Sequence, residues 1–240
     1  VEVMSGIDGD LINDGVASYR DLDQHHLDQV DQGIIDNTGY VVVKTNQSNI
    51  EITTAEKVET LAKGNSINRI DFNTKKGKVE SLFAAELNEN EPLVMRKIVW
   101  INNSRDFNID NPLDHAIKNI NKLGDFNDII EESVKAWADI WDRSDIAVDG
   151  DRYTQMLLRM HIFHLMVTAS PFNKELDTGI PARGLHGEAY RGHIFWDELY
   201  ILPFYISRYP EIARSVLMYR YRRLDEARKY AKEYGYEGAM

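Results

Sequence analysis

The 240-residue sequence contains no cysteine, so disulfide bridges and thiolate metal sites are both excluded. Basic residues are in the minority, with 28 Lys and Arg against 39 Asp and Glu, for a formal net charge of −11. This charge argues against a nucleic-acid partner, because binding the phosphate backbone requires a basic face. A local phosphate site stays compatible with it, since one arginine or one helix N-terminus can supply such a site.

Long apolar runs are also missing, and no segment approaches the roughly 20 residues that a membrane-spanning helix needs. No signal peptide is visible at the start, where residues 1–4 have the composition of a β-strand. We therefore expect a cytoplasmic protein with no membrane partner. Because the first residue is Val1 rather than methionine, we expect the natural N-terminus to lie upstream.

The first 110 or so residues have the pattern of a β-domain. The run GYVVVKT at residues 39–45 is rich in β-branched residues, and IEITT at residues 50–54 alternates apolar and polar positions. Together they predict a hairpin. Residues 78–87 and 92–102 predict two more strands; the second is apolar on both faces, so we expect both faces to be buried. Repeated short strands with intervening turns favour a β-sandwich.

From about residue 113 the apolar residues recur at helical spacing. Asp125 is placed to cap a helix whose apolar stripe consists of Phe126, Ile129, Ile130, Val134, Trp137 and Trp141. Residues 153–167 predict a longer helix that is apolar on more than one side, which we expect to be buried. Three further helices are predicted between residues 197 and 234, after a long loop that contains Pro and Gly residues.

The stretch RGLHGEAYRGHIFWD at residues 183–197 is the most informative about function. Aromatic faces cover the C–H surface of a sugar ring, and carboxylates accept hydrogen bonds from its hydroxyls, each worth roughly 1.5–3 kcal/mol net. Trp196 and Asp197 supply both kinds of group. The alternative is that Trp196 belongs to the core and that Asp197 only caps the following helix.

The histidines carry weaker signals. His193 is either a structural hydrogen-bonding residue or a functional one. His161 and His164 are three positions apart on a helix, a spacing that can bind metal. No third ligand is evident, so we expect these two side chains to be buried and hydrogen-bonded, and we predict no metal site.

Charged residues flank the same stretch. Glu188 and Glu198 are candidates for an acid–base pair with Asp197, because glycosidases use two carboxylates. Arg183 and Arg191 are candidates either to face phosphate or to pair with these acids. The remaining arginines of the region are expected on a solvated face; they are Arg220, Arg222 and Arg223.

The residues from 183 to 228 resemble the opening of the catalytic barrel in family 65 glycoside hydrolases. That family includes maltose, trehalose and kojibiose phosphorylases and some hydrolases. The resemblance lies within GLHGEAYRGHIFWD, LPF, LMYRYR and LDEAR, and more diffusely in IDGD at residues 7–10. It implies an α+β multidomain protein: part of an N-terminal β-sandwich at residues 1–112, a helical linker at 113–147, and the first helices of an (α/α)6 barrel at 148–240.

The resemblance also implies the roles of individual residues. It places Phe195, Trp196 and Asp197 in the subsite that holds the glucosyl residue to be transferred, with His193 as a further substrate-binding candidate. The general acid of the family is a glutamate in a Gly-Pro-Asp-Glu-like segment, which we expect downstream of Met240. No catalytic residue is therefore expected in this chain, and the isolated chain is expected to be inactive.

The reaction implied is inverting phosphorolysis of an α-linked glucose disaccharide of the maltose, trehalose or kojibiose type, which gives β-glucose 1-phosphate and glucose. Inorganic phosphate is then the co-substrate, and no metal or organic cofactor is implied. Two alternatives stay open: a hydrolase of the same family that uses water, and a non-catalytic sugar-binding remnant. A homodimer is compatible with the resemblance, because dimers are common in the family.

Overall fold

The computed structural model describes residues 1–13, 16–19, 21–62, 65–173, 176–185, 187 and 190–239. These residues have an α+β fold, with strands in the first half and helices in the second. The chain divides into two compact units, one made of Val1–Asp14 and Ser18–Val134, the other of Gly15–Ala17 and Lys135–Met240.

The first unit is a β-sandwich, as the turn and strand pattern predicts. Its strands are Glu2–Asp8 (β1), Leu27–Ile35 (β2), Thr38–Thr45 (β3), Glu51–Ala62 (β4), Asn65–Ile67 (β5), Arg69–Lys75 (β6), Lys78–Ala84 (β7) and Leu93–Asn103 (β8). A three-stranded sheet has the order β1-β7-β6. A five-stranded sheet has the order β2-β3-β4-β5, and β8 also pairs with β4. The described pairs are antiparallel, and the predicted hairpin is confirmed as β3 and β4.

Strand β3 lies at the centre of this unit because both of its faces are covered. One face meets the smaller sheet in a cluster formed by Ile7, Val41, Val43 and Val79. The other face packs on helix α1 (Pro112–Ile120) in a cluster formed by Tyr40, Val42, Ala55, Ala116 and Ile120. The β-branched run GYVVVKT thus forms a strand that is buried on both faces. Near-continuous apolar runs are typical of strands with two covered faces.

Strand β8 does not have the two-sided burial that its apolar sequence predicts. One face packs on α1 through Ile98 and Trp100. On the other face Val99 and Ile101 are 42% and 66% exposed. The prediction was wrong because β8 is paired, among the described strands, on one side only and receives its cover from a single helix.

Helix α2 (Phe126–Ser144) begins in the first unit and ends in the second. The predicted cap is confirmed, since Oδ1 of Asp125 accepts a hydrogen bond from the backbone N–H of Asn127 at 2.8 Å. The predicted apolar stripe is only partly covered: Trp137 and Trp141 pack on the core of the second unit, whereas Val134 is 64% exposed.

The second unit continues with α3 (Arg152–Thr168), α4 (Glu198–Arg208), α5 (Pro210–Arg222) and α6 (Leu224–Glu233). Its core consists of Ile162, Met166, Ala169, Ile180, Leu202, Tyr205, Tyr209, Ile212, Ala213 and Val216. Pro210 stands in the first turn of α5, where its missing N–H costs nothing. No helix in the described ranges is both long and apolar enough to cross a membrane.

Within this chain helix α3 is buried on one side only, which is less burial than its apolar composition predicts. Ile162 and Met166 are 2% exposed, but Tyr153 and Met160 on the opposite side are 63% and 44% exposed. His161 is exposed as well, contrary to prediction, because it lies on the side of α3 that the core does not cover. Within the described residues no group of three His, Asp or Glu side chains is placed to hold a metal ion.

Candidate functional site

The loop before α4 contains three consecutive residues in the left-handed region of backbone space. Tyr190, Arg191 and Gly192 have φ values of 54°, 53° and 70°. Glycine adopts this conformation without penalty, but the two residues with side chains do so at a cost. The backbone N–H of His193 returns to the carbonyl of Tyr190 at 3.0 Å, which closes the turn. Strained backbone of this kind is concentrated at binding and switch sites.

Aromatic rings cluster immediately after this turn. The rings of His193 and Phe195 are stacked, with centroids 5.8 Å apart and planes 11° apart. Tyr190 meets Phe195 edge-on at 5.6 Å, and Trp196 meets Tyr200 of α4 edge-on at 5.5 Å. Trp196 is 65% exposed and Phe195 40% exposed, so neither belongs to the core of the unit. Exposed apolar clusters occur at ligand-binding grooves and at protein interaction surfaces.

Asp197 stands at the N-cap position of α4, yet its side chain makes no capping hydrogen bond. Its φ and ψ of −54° and −32° are helical, whereas a capping residue adopts an extended conformation that aims its side chain at the first turn. Asp151 at the start of α3 is the contrasting case: it is extended and caps Thr154. Within the described part of the chain the half-buried carboxylate of Asp197 has no bonded partner. It is therefore free to accept hydrogen bonds from a ligand.

Glu198, the next residue, is buried and hydrogen-bonded within the chain. It is 4% exposed. Its Oε1 accepts the backbone N–H of Ile180 at 2.8 Å, and its Oε2 accepts Nε–H of Arg220 at 3.0 Å. Both oxygens of Glu198 are thus bonded within the chain, which disfavours an acid–base pair between Asp197 and Glu198. Glu188, the other candidate for that pair, lies outside the described residues.

Arg220 also contacts the backbone just before Trp196. Its Nη2 donates to the carbonyl of Phe195 at 2.6 Å and to that of Ile194 at 3.3 Å. Sequence reasoning missed this role because the bonded carbonyls lie 25 and 26 positions earlier in the chain, beyond the reach of any local pattern. In the sequence alone, an arginine that bonds to distant backbone carbonyls cannot be distinguished from an arginine that is simply solvated.

The neighbouring arginines lie on the solvated face that the sequence predicts, with side chains 53% and 43% exposed for Arg222 and Arg223, and they are ion-paired there. Arg222 and Arg223 lie 2.8 and 3.1 Å from the carboxylate oxygens of Asp177. The hydrogen bond from Arg223 is the main reason that the pKa of Asp177 lies below its ordinary value, with a further contribution from Arg222. Of the two phosphate candidates, Arg183 and Arg191, both are exposed.

The first unit contains a cavity of about 400 Å³, and it includes none of the predicted site residues. Two of the cationic side chains that line it have partners: Arg69 donates to Oδ1 of Asn37 at 2.8 Å, and Arg96 lies 3.3 Å from Glu59. The residues that the sequence predicts for the site are instead brought together in the second unit, at the start of α4.

A carboxylate without a partner beside exposed aromatic rings, in an α+β chain that runs from a β-sandwich into helices, is compatible with the class of carbohydrate-active enzymes. Family models agree with that class. Residues 1–140 match the model described as glycosyl hydrolase family 65, N-terminal domain, and residues 159–240 match the glycosyl hydrolase family 65 central catalytic domain. The chain belongs to glycosyl hydrolase family 65, as the resemblance predicts.

Individual relatives agree with this assignment. The chain is 35% identical to an uncharacterized glycosyl hydrolase of Mycobacterium tuberculosis, over 100% of this chain and 18% of that protein. It is 33% identical to a kojibiose phosphorylase of Halothermothrix orenii, over 100% of this chain and 31% of that protein. A solved structure from the human microbiome, provisionally assigned as a kojibiose phosphorylase, aligns with a TM-score of 0.81 at 26% identity, over 99% of this chain and 30% of that one.

The chain thus spans less than a third of the length of these relatives. The match to the N-terminal domain ends at residue 140, and the match to the central catalytic domain begins at residue 159. The compact units divide between Val134 and Lys135. The finer division into a sandwich to residue 112, a linker to residue 147 and a barrel segment beyond it stays a prediction.

Proposed function

We propose that the protein to which this chain contributes cleaves an α-linked glucose disaccharide by inverting phosphorolysis. The observation that carries the proposal is the carboxylate of Asp197, which stands at a helix start without capping it, next to exposed Trp196 and Phe195. Phosphorylase relatives support the reaction type, among them the kojibiose phosphorylase above and a trehalose 6-phosphate phosphorylase of Lactococcus lactis that is 32% identical over 97% of this chain and 29% of that protein. The substrate is of the kojibiose, trehalose or maltose type.

The chain contributes part of the subsite for the glucosyl ring. Asp197 accepts hydrogen bonds from neighbouring ring hydroxyls, in charge-assisted bonds that are stronger than neutral ones. Phe195 and Trp196 cover apolar faces of the sugar, and His193, stacked on Phe195, adds a polar edge. Contacts of this kind, remote from the anomeric carbon, orient the ring and help to distort it toward the transition state.

Cleavage requires a carboxylic acid that protonates the departing glycosidic oxygen as its bond to C1 breaks. An oxygen of inorganic phosphate forms the new bond to C1 from the opposite face, so that the configuration inverts. Phosphate takes the place of the activated water of an inverting hydrolase, and no metal or organic cofactor enters the scheme. We propose that this acid is a glutamate outside the 240 residues, as the family resemblance implies, and that Glu198, whose oxygens bond Ile180 and Arg220, has a structural role instead. We place the reaction in the cytoplasm, with the disaccharide and phosphate as partners and a homodimer as the working assembly.

Hydrolysis is the second candidate, favoured by the relatives of Mycobacterium tuberculosis that are named as glycosyl hydrolases. The whole protein should be incubated with kojibiose, trehalose and maltose, with and without phosphate, while glucose and glucose 1-phosphate are measured. Phosphate-dependent release of β-glucose 1-phosphate supports the proposal. Release of glucose alone without phosphate establishes the hydrolase, and sugar binding without cleavage establishes a non-catalytic remnant.

The 240-residue chain alone offers a separate check. It should bind sugar but cleave none of these disaccharides, because it supplies a subsite and no acid. Sustained turnover by the purified chain, retained after removal of trace contaminants by a second purification, would contradict the assignment of the acid to another segment.

A further inference from the structure

We infer that Arg220 and Glu198 are positioning residues of the sugar subsite: together they hold the backbone from which Phe195, Trp196 and Asp197 project. This inference rests on the proposed function of those three residues. Neither Arg220 nor Glu198 needs to touch the sugar. Their effect is to fix where the aromatic faces and the free carboxylate stand before the sugar arrives.

The first support is the target of the Arg220 side chain. Its Nη2 reaches the carbonyls of Ile194 and Phe195, which are the two peptide groups that precede Trp196. A guanidinium is a rigid planar fork, so bonds to two successive carbonyls restrict the orientation of both peptide planes. The side chains of Phe195 and Trp196 inherit that restriction because they branch from the same backbone.

The second support is the anchoring of Arg220 itself. Its Nε donates to Oε2 of Glu198, whose side chain is 5% exposed while that of Arg220 is 46% exposed. A buried carboxylate oxygen without a hydrogen bond is costly, and the remaining oxygen of Glu198 accepts the N–H of Ile180. The pair thus joins three segments that are distant in sequence: the loop at Ile180, the start of α4 and helix α5.

The third support is the absence of a side chain at residue 179. A Cβ at Gly179 would lie 3.0 Å from Oε1 of Glu198 and 3.0 Å from Cγ2 of Ile194. Contacts that short are tighter than ordinary van der Waals packing. Gly179 therefore permits the loop to close directly on both the carboxylate and the backbone segment that Arg220 holds.

The fourth support is the conformation just upstream. Tyr190 and Arg191 hold left-handed conformations that side chains disfavour, at φ of 54° and 53°. Such conformations persist where the surrounding structure constrains them. Without Arg220 the segment would relax toward a broader set of conformers, and sugar binding would have to select the productive one.

The test uses the 240-residue chain labelled with 5-fluorotryptophan, observed by ¹⁹F NMR during titration with methyl α-D-glucopyranoside. The chain has four tryptophans, and Trp196→Phe assigns the resonance of the subsite. In the parent chain the Trp196 resonance should shift saturably, whereas sorbitol, which has no pyranose ring, should leave it unmoved. The other three resonances report on the fold.

Arg220→Ala should raise the Kd for the glucoside by about tenfold or more, as expected when a binding group loses its preorganised geometry. Resonances of the other three tryptophans should stay in place. Arg220→Lys keeps a positive charge for Glu198 but lacks the planar guanidinium, so it should raise the Kd by an intermediate amount. Arg214→Ala is the matched control: it removes an exposed arginine from the same helix and should leave the Kd unchanged.

Two failures can be told apart. A saturable Trp196 shift in the parent chain with an unchanged Kd in Arg220→Ala and Arg220→Lys would overturn the positioning role and leave the sugar subsite standing. No shift of Trp196 in the parent chain would overturn the proposed subsite itself, and the positioning role with it. Should Arg220→Ala lose its native spectrum, Arg220→Lys and Glu198→Gln decide by the same criterion.

Discussion

Among the described residues, each unit contains one buried glutamate paired with a cation, and the two pairs differ in the other groups that the cation binds. Glu56 in the sandwich is 1% exposed and lies 2.8 Å from Nζ of Lys97. Lys97 is a point charge that also donates to the carbonyl of Gly6 at 2.8 Å, so it joins strands. Arg220 is a fork that binds Glu198 and two carbonyls of a loop.

The difference lies in how completely each carboxylate is satisfied. Oε1 of Glu56 is buried and has no hydrogen-bond partner among the described residues. Both oxygens of Glu198 are bonded, and the residue next to it, Asp197, has a carboxylate without a partner in the described chain. The Glu56–Lys97 pair stabilises the sandwich. The Glu198–Arg220 pair holds the start of α4, so that the neighbouring carboxylate of Asp197 is fixed in position without being hydrogen-bonded itself.

The largest effect should come from Asp197→Ala. It should weaken glucoside binding to the chain by about tenfold to a hundredfold, the equivalent of losing charge-assisted hydrogen bonds of roughly 1.5–3 kcal/mol. Turnover of the whole protein should fall by orders of magnitude. Thermal unfolding should hardly change, because no capping bond is lost. Binding at the parent level after this substitution would return Asp197 to a structural role.

Lys97→Met should show the opposite behaviour. It leaves Glu56 buried without its cation, which should lower the free energy of unfolding by about 2 kcal/mol, less than for a fully buried pair because Lys97 is partly exposed. Glucoside binding should be unaffected. Urea unfolding monitored by circular dichroism gives the stability, and Glu56→Gln with Lys97→Met should recover part of the loss. A change in sugar affinity would remove the distinction between the two pairs.

Asp151→Ala should have a smaller effect and serves as the counterpart to Asp197→Ala. Asp151 caps α3 through the N–H of Thr154 at 3.0 Å and its hydroxyl at 2.8 Å. Loss of a cap costs about 1 kcal/mol, so the midpoint of urea unfolding should drop while glucoside binding is retained. If both aspartate variants lose stability equally, the geometric distinction between a capping and a non-capping aspartate is wrong.

The smallest effect concerns acid stability. The pKa of Asp177 is lowered from its ordinary value of 3.8, chiefly by Arg223 and then by Arg222. A depressed folded-state pKa contributes stability above the unfolded value of 3.8, and that stability is lost as the pH falls through the lower folded value. Asp177→Asn should therefore be less stable by under about 1 kcal/mol at pH 7, and the difference from the parent should shrink as the pH falls below 3.8. If the difference in free energy of unfolding between the two proteins does not shrink at low pH, the ion pair is not its source.

The sequence predicts much of the fold because its patterns are local. The hairpin around residue 47, the cap at Asp125 and the start of α5 at Pro210 all depend on neighbours along the chain. Burial of β8 was mispredicted because apolar composition does not say how many elements cover a strand. In β3 a similar composition does coincide with two covered faces.

The candidate site also has some features that the sequence predicts and others that only the three-dimensional structure reveals. Trp196 and Asp197 stand out by residue type and by family resemblance, but their exposure and the missing cap follow only from three-dimensional geometry. Arg220 could not be recognised, since its partners are more than 20 positions away and none of them is a distinctive residue type. The carbonyl oxygens it binds belong to backbone, which carries no sequence signal at all.

The close approach at Gly179 has a consequence for protein engineering. A library that seeks altered sugar selection can vary Phe195 and Trp196, whose rings face outward and leave room for other shapes. A side chain at residue 179 would instead press on Glu198 and Ile194, which would have to move by a few tenths of an ångström to make room. Variation at the two outward rings therefore disturbs the packing around Glu198 less than variation at Gly179 does.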